Sequence, residues 1–162
     1  MKSQPEFLLQ SQIAEYLRKA YPRILFLSDV RASLSLTIPQ ARRSKLIQAD
    51  GFACPDLVIF AARRGFYGLF LEIKAETPFK IDGTLKRRMV KRNGREYDHL
   101  AEQQKAIDNL RKSGYKAEFV WKFNDAVDWI DWYLKESNQQ FAARLKKERV
   151  MAAFQKLEKE VK

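Results

Sequence analysis

The stretch from Pro55 to Lys74, PDLVIFAARRGFYGLFLEIK, constrains the fold of this chain more than any other. Two short apolar runs, DLVIFA and GLFLEIK, are joined by a segment with Gly65 and Gly68 at its ends, which predicts a β-hairpin. Side chains alternate along a strand, so Glu72 and Lys74 point one way while Leu71 and Ile73 point the other. Asp56 opens the first strand, and in a hairpin of this length it can lie across from the Glu72–Lys74 end. Two carboxylates and an ammonium would then meet at the edge of an apolar sheet. Burying charge is costly unless the charges pair or bind a metal.

An ion pair between Glu72 and Lys74 on a half-solvated strand would account for a bare D…ExK pattern. Three features favour chemistry instead: the strands are too apolar for a solvated face, Pro55 fixes the chain leading into Asp56, and the chain is strongly basic. Two carboxylates suit Mg²⁺, which retains waters and binds through one or two carboxylates plus substrate phosphate. A lysine beside them can orient or polarise an attacking water and stabilise charge developing on a phosphate. The residues outline a phosphodiesterase site.

The 162 residues suit one domain with a real core, and 46% hydrophobic content with eleven Phe supports a folded protein. Lys and Arg outnumber Asp and Glu by 31 to 20, a net charge of +11 that suits a polyanionic partner, nucleic acid above all, or serves solubility alone. Cys54, the only cysteine, excludes an intrachain disulfide and fits a reducing compartment; the expected role is a small buried hydrophobe. No apolar run reaches the roughly 18 residues of a membrane span, and MKSQPEFLLQ lacks a signal-peptide pattern, so a soluble intracellular protein is expected.

Along the chain, Ser3 and Glu6 form an S-x-x-E capping box for a helix running to about Ala20, with Leu9, Ile13, Tyr16, Leu17 and Ala20 on its apolar stripe. Glu6 extends that stripe, so its side chain either completes the cap or reaches the site. Ile24–Ser28 reads as a strand. Between Asp29 and Asp50 the pattern weakens, and the basic cluster of Arg42, Arg43 and Lys45 reads as a solvated loop, a short helix or a phosphate-contacting loop.

After Lys74, the segment from Lys80 to Arg95 holds seven Lys or Arg and only Asp82 as an acid. Turn signals at Asp82-Gly83 and Asn93-Gly94 bracket LKRRMVKR and predict a loop or a small hairpin arm. Directly behind the site, its Lys86, Arg87, Arg88, Lys91, Arg92 and Arg95 are candidate DNA contacts. His99, the only histidine, is given no catalytic role. A helix over Leu100–Ser113, closed by Gly114, carries Leu100, Ile107 and Leu110 on one face, together with Gln103 but not Gln104. A core-facing amide needs a partner, either backbone or the active site. Lys116–Lys122 is the last strand. Asn124 or Asp125 is expected to cap the next helix, and Ser137 or Asn138 to start another towards the C-terminus.

The order helix, strand, PD-strand, ExK-strand, Gln-bearing helix, strand resembles the PD-(D/E)xK nuclease superfamily. Within it the chain is most similar to the VRR-NUC family, in the small stand-alone form of phages and bacteria. The resemblance rests on Pro55-Asp56-Leu57, on GLFLEIK and on LAEQQKAIDNLRKSGY from Leu100 to Tyr115, and spans roughly Glu6 to Leu134. It implies an α/β fold with a restriction-endonuclease-like αβββαβ core, a nuclease domain over residues 1–136 with a basic insert at about 75–98, and a helical extension over 137–162. By position it implies that Asp56, Glu72 and the carbonyl of Ile73 bind Mg²⁺ or Mn²⁺, that Lys74 positions the water, and that Gln103 is the active-site glutamine. Glu6, with Gln10 one turn on, corresponds to the acidic residue of the first helix. The linker from Lys74 to Gln103 is longer than in small relatives, and a glycine often found shortly before the PD is unmatched by Ala53 or Cys54.

The implied activity is a metal-dependent endonuclease acting on branched DNA, of the Holliday-junction or flap type, possible as a homodimer in a bacterial or phage-infected cytoplasm. A basic module that only binds nucleic acid has no need of acidic residues near phosphates, and nothing resembles the target-recognition domain of a restriction-type enzyme.

Overall fold

The computed structural model describes residues 5–28, 52–92 and 94–135, with positions 37, 39, 40, 43, 46 and 49. Ser3 of the expected capping box, Arg42 and Lys45, and the expected extension over 137–162 lie outside the described residues.

Helix α1 (Pro5–Ala20) opens with proline in its first turn, where the missing N–H costs nothing, and buries Gln10, Ile13, Ala14 and Leu17. Strands β1 (Phe26–Ser28), β2 (Leu57–Ile59) and β3 (Leu69–Ile73) follow, then the hairpin β4 (Met89–Arg92) and β5 (Arg95–Asp98). Helix α2 (His99–Lys112), strand β6 (Lys116–Val120) and helix α3 (Phe123–Leu134) complete the order. The expected αβββαβ core is therefore present, with the basic arm inserted as a hairpin that forms its own two-stranded sheet.

The main sheet runs β1-β2-β3-β6; the first two pairings are antiparallel and β3 lies parallel to β6. β2 and β3 occupy its centre, and all three residues of β2 are buried, which explains an apolar run without alternation. One sheet face presents Leu57, Ile59, Leu69, Leu71, Ile73 and Val120 to α1 and α3. On the other, Ile107 and Leu110 of α2 pack on Ala117 and Phe119. The two helices of the first face are also joined by Asp131, whose Oδ1 accepts from the Tyr16 hydroxyl at 2.5 Å and the Tyr21 hydroxyl at 2.7 Å. Lys135 donates to the other oxygen. Burial raises the Asp131 carboxyl, but these hydrogen bonds outweigh it and hold the group below its usual range.

Asp131→Asn is therefore expected to lower stability by about 1–2 kcal/mol in urea unfolding at pH 7. Because the native carboxyl is depressed, its contribution is present above the ordinary carboxylate range and is lost as pH falls through the native value. The gap between wild type and variant should thus narrow below about pH 4; a gap independent of pH would show that the charge contributes nothing.

Several boundaries differ from the sequence expectation. β1 begins at Phe26, not Ile24, because its partner β2 ends at Ile59, directly opposite Phe26. β6 stops at Val120, opposite the last residue of β3. α3 starts at Phe123 behind Lys122, which makes no side-chain cap; neither Asn124 nor Asp125 is the cap, and Asp125 instead lies in the first turn, where its charge complements the helix dipole. The β2–β3 turn is formed by Arg64 (φ 51) and Gly65 (φ 83), consecutive left-handed residues that match the twist of the strands, between the bridged Arg63 and Phe66. Cys54 is exposed, not buried: the chain is irregular before β2, and it is Pro55 that fills the core there.

Candidate active site

The register of β2 on β3 decides the site. Leu57 pairs with Leu71, so Asp56 falls opposite Glu72 at one end of the sheet. Asp56 is fixed by both backbone and side chain. Its carbonyl accepts from the Gln10 amide of α1 at 3.2 Å, and its Oδ2 accepts from the Ile73 N–H at 2.8 Å. Lys74 continues β3 through an N–H bond to the Val120 carbonyl at 2.9 Å. Glu72 and Lys74, two apart, share a face, and the ammonium donates to Glu72 Oε1 at 2.7 Å.

This face is covered by α2. Asp98 caps that helix by accepting from the N–H groups of Leu100 and Ala101. Gln103, one turn in, donates its amide to Glu72 Oε1. Gln104 points elsewhere and donates to Asp108 at 2.9 Å. Glu72, Lys74, Gln103 and Gln10 are the buried polar side chains among the described residues. Gln103 Oε1 is buried without a hydrogen-bond partner, on the amide whose nitrogen reaches Glu72, and such an acceptor calls for a donor or a cation.

Glu6 lies beside this cluster: its Oε1 accepts from the Ala75 N–H at 3.4 Å, and its charge acts on Asp56. Burial pushes Glu72 up to about 8, and the neighbouring Asp56 charge adds to the rise against the pull of Lys74. Asp56 is also raised, first by burial, with the Ile73 N–H and Lys74 opposing. The buried Glu72 thus feels the charge of the half-buried Asp56, and Glu6 adds a third negative charge nearby. No group of three or more His, Cys, Asp or Glu arranged as a metal cage occurs among the described residues. The donor set fits a hard divalent cation that takes one or two carboxylates and completes its shell with water and phosphate.

The expected DNA contacts fall into three groups. Arg43 is exposed. Lys86 is engaged, donating to the Thr77 carbonyl at 2.8 Å. Arg87, Arg88 and Lys91 are exposed on the hairpin, and Arg92 pairs with Arg95 across it. His99, for which the sequence suggested no role, lies four residues before Gln103 and feels the charges of Lys74 and Glu6. The i, i+4 spacing to Gln103 was the available signal. Asp98 was also missed as a cap, although an Asp directly before an apolar-periodic run is a helix start.

No family model matches the chain, and no curated protein matches it in sequence. Among solved structures, the chain is similar to a VRR_NUC domain protein, with a TM-score of 0.52 and 21% identity over 83% of this chain and 92% of that one. At that identity the likeness establishes the fold. No helix among the described residues is long and apolar enough to cross a membrane.

Proposed function

We propose that the protein is a Mg²⁺- or Mn²⁺-dependent endonuclease of the VRR-NUC kind that hydrolyses phosphodiester bonds in branched DNA. The observation that carries this reading is the buried Glu72–Lys74 pair beside the half-buried Asp56, under a glutamine with an unpartnered oxygen. The likeness in fold to a VRR_NUC domain protein supports it. A dry, covered ion pair with two repelling carboxylates costs stability, and a binding module gains nothing from it.

In this reading Asp56 and Glu72 hold the cation, with the Ile73 carbonyl as a further donor. A divalent cation there supplies Lewis-acid polarisation and neutralises charge on the scissile phosphate. Lys74 orients the attacking water and balances charge that develops on the phosphate oxygens. Gln103 accepts a hydrogen bond from that water through Oε1 and steadies Glu72 through its amide. Gln10 fixes the backbone on which Asp56 stands, and Glu6 closes the acidic rim. Residues 1–136 form the nuclease domain, 137–162 an extension, and two copies of the chain suit symmetric cutting of two strands.

Labelled junction, 5′-flap, 3′-flap, nicked and linear duplexes, each with Mg²⁺ and with chelator, test the reading. Cuts confined to branched substrates with Mg²⁺ are expected, and absence of cleavage from every substrate would overturn it. Gln103→Ala is expected to lower turnover by roughly ten- to a hundredfold, the usual scale for a group that orients a metal ligand, whereas Gln104→Ala changes it little. Single-turnover rates decide between them, and near-native rates for both would reduce Gln103 to packing.

A further inference from the structure

The inserted hairpin has two chemically different faces. Register pairs Met89 with Asp98, Val90 with Tyr97 and Lys91 with Glu96. Alternation therefore assigns Met89, Lys91, Glu96 and Asp98 to one face and Val90 and Tyr97 to the other; Arg87 and Arg88, just before β4, continue the two faces in turn, and His99 opens α2 beside Tyr97. The electrostatics agree: the charge of Arg87 acts on Asp98, and that of Arg88 acts on His99. The first face mixes its basic residues with two carboxylates, which repel phosphate. The second carries no acid, and its Tyr97 and His99 rings meet edge-on with centroids 6.5 Å apart.

The hairpin is also tied to the start of α2. The Arg88 N–H donates to Asp98 Oδ1 at 3.0 Å, and the His99 N–H donates to the Arg88 carbonyl at 2.9 Å. The same Asp98 oxygen caps α2, so one carboxylate joins hairpin and helix. From Gln103 back to His99 is about one helical turn, or about 6 Å, and from His99 to Tyr97 about 7 Å of strand. Tyr97 thus lies within about 13 Å of Gln103, a span of about four nucleotides at roughly 3.4 Å each. Tyr97 is half-buried and has Val90 as its cross-strand neighbour on the same face, so part of it remains open to solvent.

We infer that the Arg88–Tyr97–His99 face receives an unpaired nucleotide of the scissile strand, with Tyr97 stacking on its base and Arg88 holding its phosphate. A base within a duplex already has both of its faces stacked, so an aromatic ring gains contact only where the strand has left the helix. The inference rests on the nuclease reading and narrows its substrate to DNA with single-stranded character next to the cut.

Metal-free binding to two labelled substrates tests it: one with a short unpaired strand at the branch, the other fully paired and nicked at the same place. Tyr97→Ala should weaken binding to the first about tenfold, the scale of one lost base stack, and to the second by less than about twofold. Tyr97→Phe should bind as wild type, and both variants should melt as folded proteins. Arg88→Ala should reduce the salt slope of log affinity by about 1, and more than Arg87→Ala does. A 2-aminopurine placed near the branch should be quenched by wild type and by Tyr97→Trp but not by Tyr97→Ala. Equal losses on paired and unpaired DNA, or quenching that survives Tyr97→Ala at every probe position, would overturn the inference. Cleavage by wild type with Mg²⁺ is read separately. Protein that binds unpaired DNA through Tyr97 yet never cuts would sink the nuclease reading alone.

Discussion

Glu72→Ala is expected to abolish Mg²⁺-dependent cleavage while leaving DNA binding largely intact. Glu72 accepts from both Lys74 and Gln103, so its loss removes a proposed metal ligand and the anchor for two neighbours at once. Substitutions that only orient a metal ligand cost about 10–100-fold, and loss of the ligand should cost at least about a hundredfold. Asp56→Asn should behave alike, since an amide keeps the size but cannot match the charge. The DNA contacts lie on other elements, so Kd for branched DNA should change little. Folding should survive as well, because Glu72 is a carboxyl that burial and the Asp56 charge both raise, so its removal takes away a costly buried group. Cleavage assays at saturating DNA, paired with thermal melts, check both halves. Substantial metal-dependent cutting by folded Glu72→Ala would sink the site assignment.

Lys74→Met is expected to stop cleavage by a different route. The ammonium is not a ligand in the proposed site, so Mn²⁺ titration should still show binding, and binding near the wild-type affinity. What is lost is the group that orients the water and balances charge on the phosphate. The variant also strips Glu72 of its buried partner, and an uncompensated buried carboxylate is destabilising. Proton uptake by Glu72 limits that cost, so a loss of about 1–3 kcal/mol in chelator is expected, against up to about 5 kcal/mol for a charge forced to stay ionised. Adding Mg²⁺ should restore much of the stability and none of the activity. An active Lys74→Met would return the residue to a purely structural ion pair.

The legibility of the site in the sequence divides along clear lines. Asp56, Glu72 and Lys74 were readable because strand alternation is a local rule: two residues apart means the same face, whatever the rest of the chain does. Gln103 against Gln104 was readable for the same reason, through helical phase, and the pairing of Gln104 with Asp108 is what that phase requires. Glu6 was not decidable. A carboxylate in a first helical turn serves a cap or a distant partner equally well, and the contact with Ala75, sixty-nine residues away, is a long-range one that helical phase does not reveal. Cys54 went wrong because the residue type favours burial on average, while its neighbour Pro55 had already filled the local space. The α3 start went wrong because Asn and Asp are good caps in isolation, and the packing of α3 on the sheet began the helix sooner.

By itself, the sequence determined the elements and the chemistry they carry: a hairpin with acids at one end, a basic insert behind it, and an amphipathic helix bearing an inward amide. These follow from periodicity and turn residues, which act over a few bonds and need no partner. The tertiary structure alone decided that α2 lies over β3 closely enough for Gln103 to reach Glu72, and that α1 holds Asp56 through Gln10. It also set the β4–β5 register that puts Val90 and Tyr97 on one side of the hairpin, and brought His99 within reach of the charges of Lys74 and Glu6. Such choices depend on register and on packing between residues far apart in the chain. One residue of slip between β4 and β5 would exchange the two faces, and nothing local to Arg88 or Tyr97 distinguishes one side from the other until Asp98 ties the hairpin to its helix.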